Sequence, residues 1–188
     1  MSHSDPVMIQ RAYDAFRRGE FFNEFFPCPP DLLRKGVETY GGTDSETYDN
    51  IRSENLKNFG YQSWYGWNIA HYGTKWDVGG NDETITLVDP NTIEMEFNSA
   101  WSPPINGYNS LLGLDFEIKA YYNEPGVGFC GSYVNGDDSY QEYNLDNSPE
   151  EIRNHIGDEL DDMFGISNYV RQIQEEYEEY GEEEYDDE

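Results

Sequence analysis

The sequence is poor in positive charge. Its 188 residues contain 11 Lys and Arg against 39 Asp and Glu, so the formal charge is −28 at pH 7. Binding to DNA, RNA or an anionic membrane surface needs basic contacts, which this composition does not supply. The composition therefore argues against a direct nucleic-acid or membrane binder. It leaves two interpretations open: a charge that only serves solubility, or a surface for a basic protein.

Cysteines, histidines and long apolar runs are also few. Cys28 and Cys130 are far apart, and Cys28 lies in a proline-rich stretch, so we expect two reduced thiols in a cytosolic protein. There is no basic-then-apolar leader and no apolar run of 18 residues, so neither an export signal nor a membrane span is expected. His3, His71 and His155 lie in separate segments and no Cys-x-x-Cys pair is present, so no metal or other cofactor is predicted.

Aromatic residues are abundant, with 16 Tyr, 10 Phe and 4 Trp. Acidic chains that stay disordered have few aromatics, so this chain is expected to fold around an aromatic-rich core. Its length favours one domain with room for a small second element. We predict a main domain over residues 1–145 and an acidic helical extension over residues 146–188.

The first half of the chain shows mainly helical patterns. Ser4 is a good N-cap for a helix that ends at Gly19. The apolar run FFNEFF at 21–26 is predicted to be a strand or a buried turn. Residues 36–50 are predicted to form a polar loop, and the aromatic-rich stretch 64–72 a helix before Gly73. We expect Trp64 and Trp67 of that stretch to meet Trp76 and Trp101 in the core, because a chain this acidic must bury its large apolar side chains to stay folded.

The pattern changes to strands after residue 84. Segments 84–98, 114–122, 127–134 and 139–143 are predicted to be strands. Apolar and charged residues alternate in the first two, and turn signals lie at Asp89-Pro90-Asn91 and Asn135-Gly136. This pattern predicts an α+β fold with a mainly antiparallel sheet.

The C-terminal region combines helical patterns with a high density of acid. Ser148-Pro149-Glu150-Glu151 is a capping box that opens a helix predicted to end at Gly165. Residues 174–188 contain ten carboxylates and no Lys or Arg. An aromatic stripe in a last helix is predicted to dock on the body or on a partner, and the chain beyond Gly181 is predicted to be free. The residues expected to bind a partner are Tyr169, Ile173, Glu175, Glu176, Tyr177, Glu178, Glu179, Tyr180, Glu182, Glu183 and Glu184.

Two motifs could suggest chemistry. Residues 126–131 spell G-x-G-x-x-G, but a dinucleotide loop needs a helix after it, and the residues that follow have a strand pattern. We therefore assign these glycines to a tight turn and close packing. A thiol of Cys28 or Cys130 activated by His71 could be a nucleophile, but the sequence places no base beside either thiol. No catalytic residue is assigned, and an enzyme is not expected.

Three blocks resemble a known family. WYGWNIAHYGTKWD, FNSAWSPP and YNEPGVGFCG, in that order, resemble the YubB-like family of ferredoxin-like-domain proteins from phages and plasmids. PCPPDLL looks like the proline-rich segment of that family, and the resemblance covers roughly residues 5–135. It implies a ferredoxin-like, mostly antiparallel sheet with helices on one face, a mobile-element origin and a location in the host cytoplasm.

The resemblance supplies no reaction. Among the family's recurring residues that map onto this chain, Lys75 and Glu124 are the polar members. They could be a buried pair or, with Trp76 and Trp101, the rim of a pocket. One departure is evident, because family members open with a strand that this chain lacks. Either FFNEFF, the partner hairpin or another chain would then complete the sheet. The recurring residues are Trp64, Trp67, Gly73, Lys75, Trp76, Trp101, Ser102, Pro103, Pro104, Glu124, Gly128, Phe129 and Gly131.

These observations support three hypotheses. The first is a non-enzymatic accessory protein of a phage or plasmid that binds a basic or nucleic-acid-binding host protein. In its sharper form the chain mimics nucleic acid and inhibits a host defence or DNA-processing factor. The second is a small-molecule-binding or catalytic domain with a pocket near Trp76, Trp101 and Glu124. The third is a virion component, and a homodimer is left open.

Overall fold

The computed structural model describes residues 1–33 and 46–183, with side chains described over 1–33 and 48–177. The chain divides into two compact units, Met1–Ile118 and Lys119–Glu188. The predicted boundary between residues 145 and 146, which separates a family domain from an extension, stays a prediction. Among the described residues, no helix has both the length and the apolar character needed to cross a bilayer.

The first unit combines helices with one hairpin. Its elements are α1 (Pro6–Arg18), α2 (Phe21–Phe25), a 3₁₀ helix (Pro30–Leu33), α3 (Glu46–Phe59), α4 (Trp64–His71), β1 (Ile85–Asp89), β2 (Thr92–Met95) and α5 (Ile105–Leu112). The second unit opens with strands and ends with helices. Its elements are β3 (Lys119–Glu124), β4 (Phe129–Val134), β5 (Asp137–Glu142), α6 (Pro149–Ile156), α7 (Asp158–Phe164) and α8 (Ile166–Glu183).

The α+β class predicted from the sequence is confirmed, and every described strand pair is antiparallel. The strands form two small sheets, β1-β2 and β3-β4-β5, where one sheet was expected. A ferredoxin-like arrangement is therefore not established by these strands. Part of the predicted loop 36–50 lies outside the described residues, and its last five residues open α3.

Helix α1 places its apolar face in the core of the first unit. Asp5, and not Ser4, is the N-cap, because its side chain accepts a hydrogen bond from the Val7 N–H. Gly19 ends the helix with a left-handed φ of +73°. The core beside it is aromatic, with Phe22 stacked on Tyr72 at 5.3 Å and Phe25 edge-on to Phe116 at 5.3 Å.

The run FFNEFF was predicted as a strand or a turn, and this prediction was wrong. Residues Phe21–Phe25 form helix α2. The free N–H groups of its first turn are satisfied from a distant part of the chain, because the Asp77 carboxylate accepts from Phe22 at 2.7 Å and Asn23 at 2.8 Å. Burial raises the pKa of Asp77, and these two bonds, together with one from Val78, partly offset that rise.

Residues 1–3 precede the first helix, at the place where members of the YubB-like family have a strand. Ser2 donates through its N–H to the Glu117 carbonyl at 2.8 Å and accepts from the Glu117 N–H at 2.9 Å. On the other side, the Ile93 N–H donates to the Met1 carbonyl at 2.9 Å. Residues 1–3 thus form a short extended link between β2 and Glu117. FFNEFF does not take this place.

The second unit has its core between the sheet β3-β4-β5 and helices α6 to α8. The predicted capping box is present at the start of α6. The single helix predicted up to Gly165 is interrupted, because Gly157 adopts φ +87° and separates α6 from α7. In α7, Leu160 is buried and Met163 is exposed. The buried cluster contains Cys130, Tyr143, Ile152, Ile156, Leu160, Ile166 and Val170.

The G-x-G-x-x-G motif is structural, as predicted. Gly128 has φ +84° in the turn before β4, and β4 follows directly where a nucleotide loop would need a helix. Gly131 lies against the ring of Tyr122 and the carbonyl of Ser139, and a Cβ there would come within 2.4 Å of both. The strand can pack this closely only because the side chain is missing.

Gly131→Ala should destabilise the protein by about 1–3 kcal/mol, because the added methyl forces backbone and ring apart. Gly126→Ala is the matched control in the same motif. Its Cβ would meet only the flexible Glu124 side chain at 3.0 Å, so its effect should stay within about 0.5 kcal/mol. Urea denaturation of the two variants measures the difference, and equal stability would contradict the packing argument.

Asp161 ties α7 to the start of α8. One carboxylate oxygen accepts from the Ser167 N–H at 2.7 Å and the other from the Ser167 hydroxyl at 2.8 Å. Arg153 donates to the same carboxylate. Burial acts to raise the pKa of Asp161, but the bonds from Ser167 and Arg153 outweigh it, so the pKa lies below the ordinary value.

Asp161→Asn should lower the free energy of unfolding by about 2 kcal/mol at neutral pH, since a charged acceptor of several bonds is lost. A depressed folded-state pKa gives stability above the unfolded pKa of about 3.9, and that stability disappears as pH falls through the folded-state pKa. The cost should therefore shrink below about pH 4. Urea denaturation across pH measures it. Asp162→Asn is the control, because it removes the same charge from an exposed partner of Arg153. It should lower the free energy of unfolding by less than Asp161→Asn does. Equal losses of stability would contradict the role given to Asp161.

Candidate functional site

The first candidate surface is the exposed side of α8. This helix is anchored by Ile166 and Val170, which are buried, and by Gln174, whose side-chain amide donates to the carbonyls of Leu145 and Asn147 at 3.0 Å each. The described tyrosines of the predicted stripe, Tyr169 and Tyr177, therefore do not hold α8 to its own unit, and their docking on a partner stays a prediction. Tyr169 is 42% exposed and Tyr177 is 77% exposed, whereas Ile173 is half-buried. Both tyrosines lie on the open side of the helix.

The acidic residues of the predicted surface continue along the same helix. Glu175 and Glu176 are exposed. The helical backbone continues through Gly181, where a free tail was predicted to begin, and ends at Glu183. Glu178, Glu179, Tyr180, Glu182 and Glu183 lie on this helical backbone, and Glu184 lies outside the described residues.

The three basic side chains of the second unit are all bonded to side chains of the same unit. The unit has 21 acidic against 3 basic residues, a net charge of −18. Arg153 makes salt bridges with Asp158, Asp161 and Asp162, and Lys119 makes one with Glu159. Arg171 donates to the Asn168 side chain. Among the described side chains, Glu175 and Glu176 of α8 thus face solvent, and none of the salt bridges between described residues involves them.

The second candidate surface lies in the first unit, where three of the four predicted pocket residues meet. The Lys75 ammonium lies 5.3 Å from the ring centroid of Trp76 and 5.3 Å from that of Trp101. Tyr65, on α4, lies edge-on to Trp101 at 6.3 Å. We call Tyr65, Lys75, Trp76 and Trp101 the aromatic platform. Its two indoles are 52% and 65% exposed, so it is an open surface.

Two loops are fastened together to form the aromatic platform. The Thr74 hydroxyl accepts from the Ala100 N–H at 2.9 Å, on one side of Trp101. On the other side, the Ser102 hydroxyl donates to the Gly73 carbonyl at 3.0 Å. Gly73 has φ +81°, and a Cβ there would meet the backbone of α5 at 3.1 Å. The close contact of these loops therefore depends on glycine at this position.

Trp101 is both strained and exposed. Its φ is +67°, a left-handed conformation that is unfavourable for a bulky side chain. We predicted Trp101 as a core residue, and this was wrong, as it was for Trp76. Of the four tryptophans only Trp67 is buried, stacked on His71 at 3.8 Å, and Trp64 is half-buried. Exposure at a strained position points to a binding surface.

Glu124, the fourth predicted pocket residue, belongs to the second unit. It lies in β3, where its carboxylate accepts from the Gly126 N–H at 2.9 Å and so stabilises the turn to β4. Tyr65, by contrast, was not predicted as a site residue. Only its position beside Trp64 in an aromatic-rich helix start could have drawn attention to it.

The groups considered for catalysis have structural roles. Burial raises the pKa of both Cys28 and Cys130 to about 11, so the thiols are protonated at neutral pH. Each histidine has a ring nitrogen bonded to a backbone carbonyl, His71 to that of Trp67 at 2.8 Å and His3 and His155 likewise. Within the ranges 1–33 and 46–183, no three His, Cys, Asp or Glu side chains are grouped as metal ligands.

Comparison of the chain with family models, with curated proteins and with solved structures finds no match. The resemblance to the YubB-like family consequently stays a prediction from three sequence blocks. The two candidate surfaces must be interpreted from their own geometry and charge.

Two replacements of Trp101 separate the contribution of backbone strain to stability from the contribution of side-chain packing. Trp101→Gly should be more stable than Trp101→Ala by about 1 kcal/mol, because glycine adopts φ +67° without the Cβ clash. Trp67→Ala, in the core, should cost about 3–5 kcal/mol. Urea denaturation of the three variants checks this order. If Trp101→Ala lowered the free energy of unfolding as much as Trp67→Ala, Trp101 would have to be a core residue.

Proposed function

We propose that this chain is a non-enzymatic accessory protein that binds a basic host protein through the acidic, tyrosine-bearing side of α8. In the sharper form of the proposal, α8 mimics nucleic acid and occupies the site of a host defence or DNA-processing factor. A phage or plasmid origin, a host cytoplasmic location and a ferredoxin-like arrangement of the main domain are part of the proposal. These three rest on the family resemblance alone.

The observation that carries the proposal is the helical backbone of the acidic segment. Six of the nine residues in 175–183 are acidic, and they lie on one continuous helix. At about 1.5 Å rise per residue this gives roughly one negative charge per 2.2 Å. Duplex DNA carries about one per 1.7 Å of its axis. A regular helix thus presents acid at a density close to that of a duplex.

The exposed tyrosines support binding beyond simple charge attraction. Tyr169 and Tyr177 are eight residues apart, so they lie about 80° apart around the axis of α8, on the same half of the helix. Tyrosine is among the residues that dominate protein–protein interfaces, because it buries a large area with little loss of side-chain entropy. The anchoring of α8 by Ile166 and Val170 leaves both rings available.

The proposal predicts charge-dependent association. A variant with Glu175, Glu176, Glu178 and Glu179 changed to Gln should bind the captured partner with an association rate about tenfold lower at low salt, with little change in dissociation. The wild-type rate should fall steeply as salt rises. The matched control changes four exposed acids of the first unit, Glu54, Glu83, Glu94 and Glu96, to Gln.

The partner is captured from host lysate with and without excess duplex DNA, and the kinetics are then measured on the purified pair at two salt concentrations. Mimicry requires that DNA competes with the chain and that the control variant keeps the wild-type rate. Salt-independent binding, or equal loss in both variants, would assign the acidity of α8 to solubility alone.

A further inference from the structure

The aromatic platform, which is separate from the α8 surface, contains a cation that serves no described ion pair. Six of the other basic residues make salt bridges with described carboxylates: Arg11, Arg17, Arg18, Arg52, Lys119 and Arg153. None of the salt bridges between described residues involves Lys75. Its ammonium lies instead over two exposed indole rings.

The geometry around Lys75 is fixed before any ligand arrives. Asn68, on α4, donates through its side chain to the Lys75 carbonyl at 2.9 Å. The bonds from Thr74 and Ser102 hold the loop of Trp101 on both sides. This loop keeps the Trp101 indole 65% exposed in spite of its left-handed backbone. A rigid, strained arrangement that exposes its largest side chain is typical of a preorganised binding site.

The chemistry of the aromatic platform selects the ligand class. An indole face favours a flat ring, which gains area burial and stacking energy. The ammonium offers three N–H donors and a positive charge, which together favour an anionic oxygen. The net charge of −28 repels a polyanion much more strongly than an ion with one anionic group. The ligand therefore needs a flat ring and one anionic group, and its total negative charge must be small.

We propose that the aromatic platform binds a small ligand in which a planar aromatic ring carries one anionic group. The ring stacks on Trp101, and the anion accepts hydrogen bonds from Lys75. An aryl carboxylate and a nucleoside monophosphate share this chemistry. Tyr65 and Trp76 enclose the bound ligand on either side.

The ring and the charge can be tested separately by isothermal titration calorimetry. Naphthalene-2-carboxylate has both and should bind with a Kd on the order of 0.1–1 mM. Naphthalene-2-carboxamide lacks the charge, and cyclohexanecarboxylate lacks the flat ring; each should bind at least about tenfold more weakly. Adenosine 5′-monophosphate tests the phosphate source of the same chemistry, and a single-stranded thymidine octamer tests a polyanion.

Three variants connect the binding to the aromatic platform. Lys75→Met should abolish the preference for the carboxylate over the carboxamide, whereas Lys57→Met, which changes an exposed lysine of α3, should leave it intact. Trp101→Gly should weaken carboxylate binding by about tenfold or more while melting no lower than Trp101→Ala. This pair of readouts separates a lost ligand contact from a misfolded loop.

Several outcomes would overturn the proposal. Naphthalene-2-carboxylate that binds Trp101→Gly as well as the wild type would place its site elsewhere. A carboxamide that binds as tightly as the carboxylate would remove the role of Lys75. An octamer that binds more tightly than the monophosphate would show that the surface accepts a single-stranded nucleic acid, and a small ligand would then be the wrong class.

Discussion

Repulsion among carboxylates is the constraint on which the structure depends. With 39 acidic and 11 basic residues, the compact state brings like charges together, and a large net charge destabilises it. The described basic residues are placed accordingly. Arg11 and Arg18 share Glu24, and Arg153 spans three aspartates where α6, α7 and α8 meet. Exposed pairs of this kind contribute little singly, but Asp161 is buried and would be costly without its partners.

Lys75, like Lys57 and Arg171, makes none of the salt bridges between described residues, and its position gains meaning from the scarcity of cations. The chain puts this lysine against two exposed indoles while many carboxylates lack a basic partner. It also keeps Trp101 at a backbone conformation that costs about 1–2 kcal/mol. This strained backbone lowers the stability of the fold. Local choices that conflict with stability are expected at functional positions, where selection maintains them for another reason.

The sequence predicted best those features that depend on neighbouring residues. The hairpin turn at Asp89-Pro90, the turn at Asn135-Gly136 and the capping box at Ser148 were all located correctly, because their chemistry is local. Helix α2 was missed because its cap is Asp77, more than fifty residues away. The backbone conformation that exposes Trp101 has no signature in composition. A tryptophan in an aromatic-rich block therefore looked like core.

The sequence alone could not show which row of α8 faces its own unit. Ile166, Val170 and Ile173 form one apolar row at helical spacing, and Tyr169, Ile173 and Tyr177 form another that shares Ile173. Both rows fit an amphipathic helix. The core takes the aliphatic row, which has no polar group to satisfy, and leaves the tyrosines with their hydroxyl groups toward water. Helical periodicity alone cannot choose between two rows that overlap.

If both proposals hold, the two candidate surfaces should respond to ionic strength with opposite sign, because of the charge of the whole chain. A field of −28 charges would draw a basic partner toward α8, so added salt would weaken that encounter. The same field opposes the approach of any anion to Lys75, so moderate salt screens the repulsion and favours binding at the aromatic platform. A polyanion would be repelled most. Under these proposals, the same charge that would attract a basic protein to α8 would restrict the aromatic platform to small ligands.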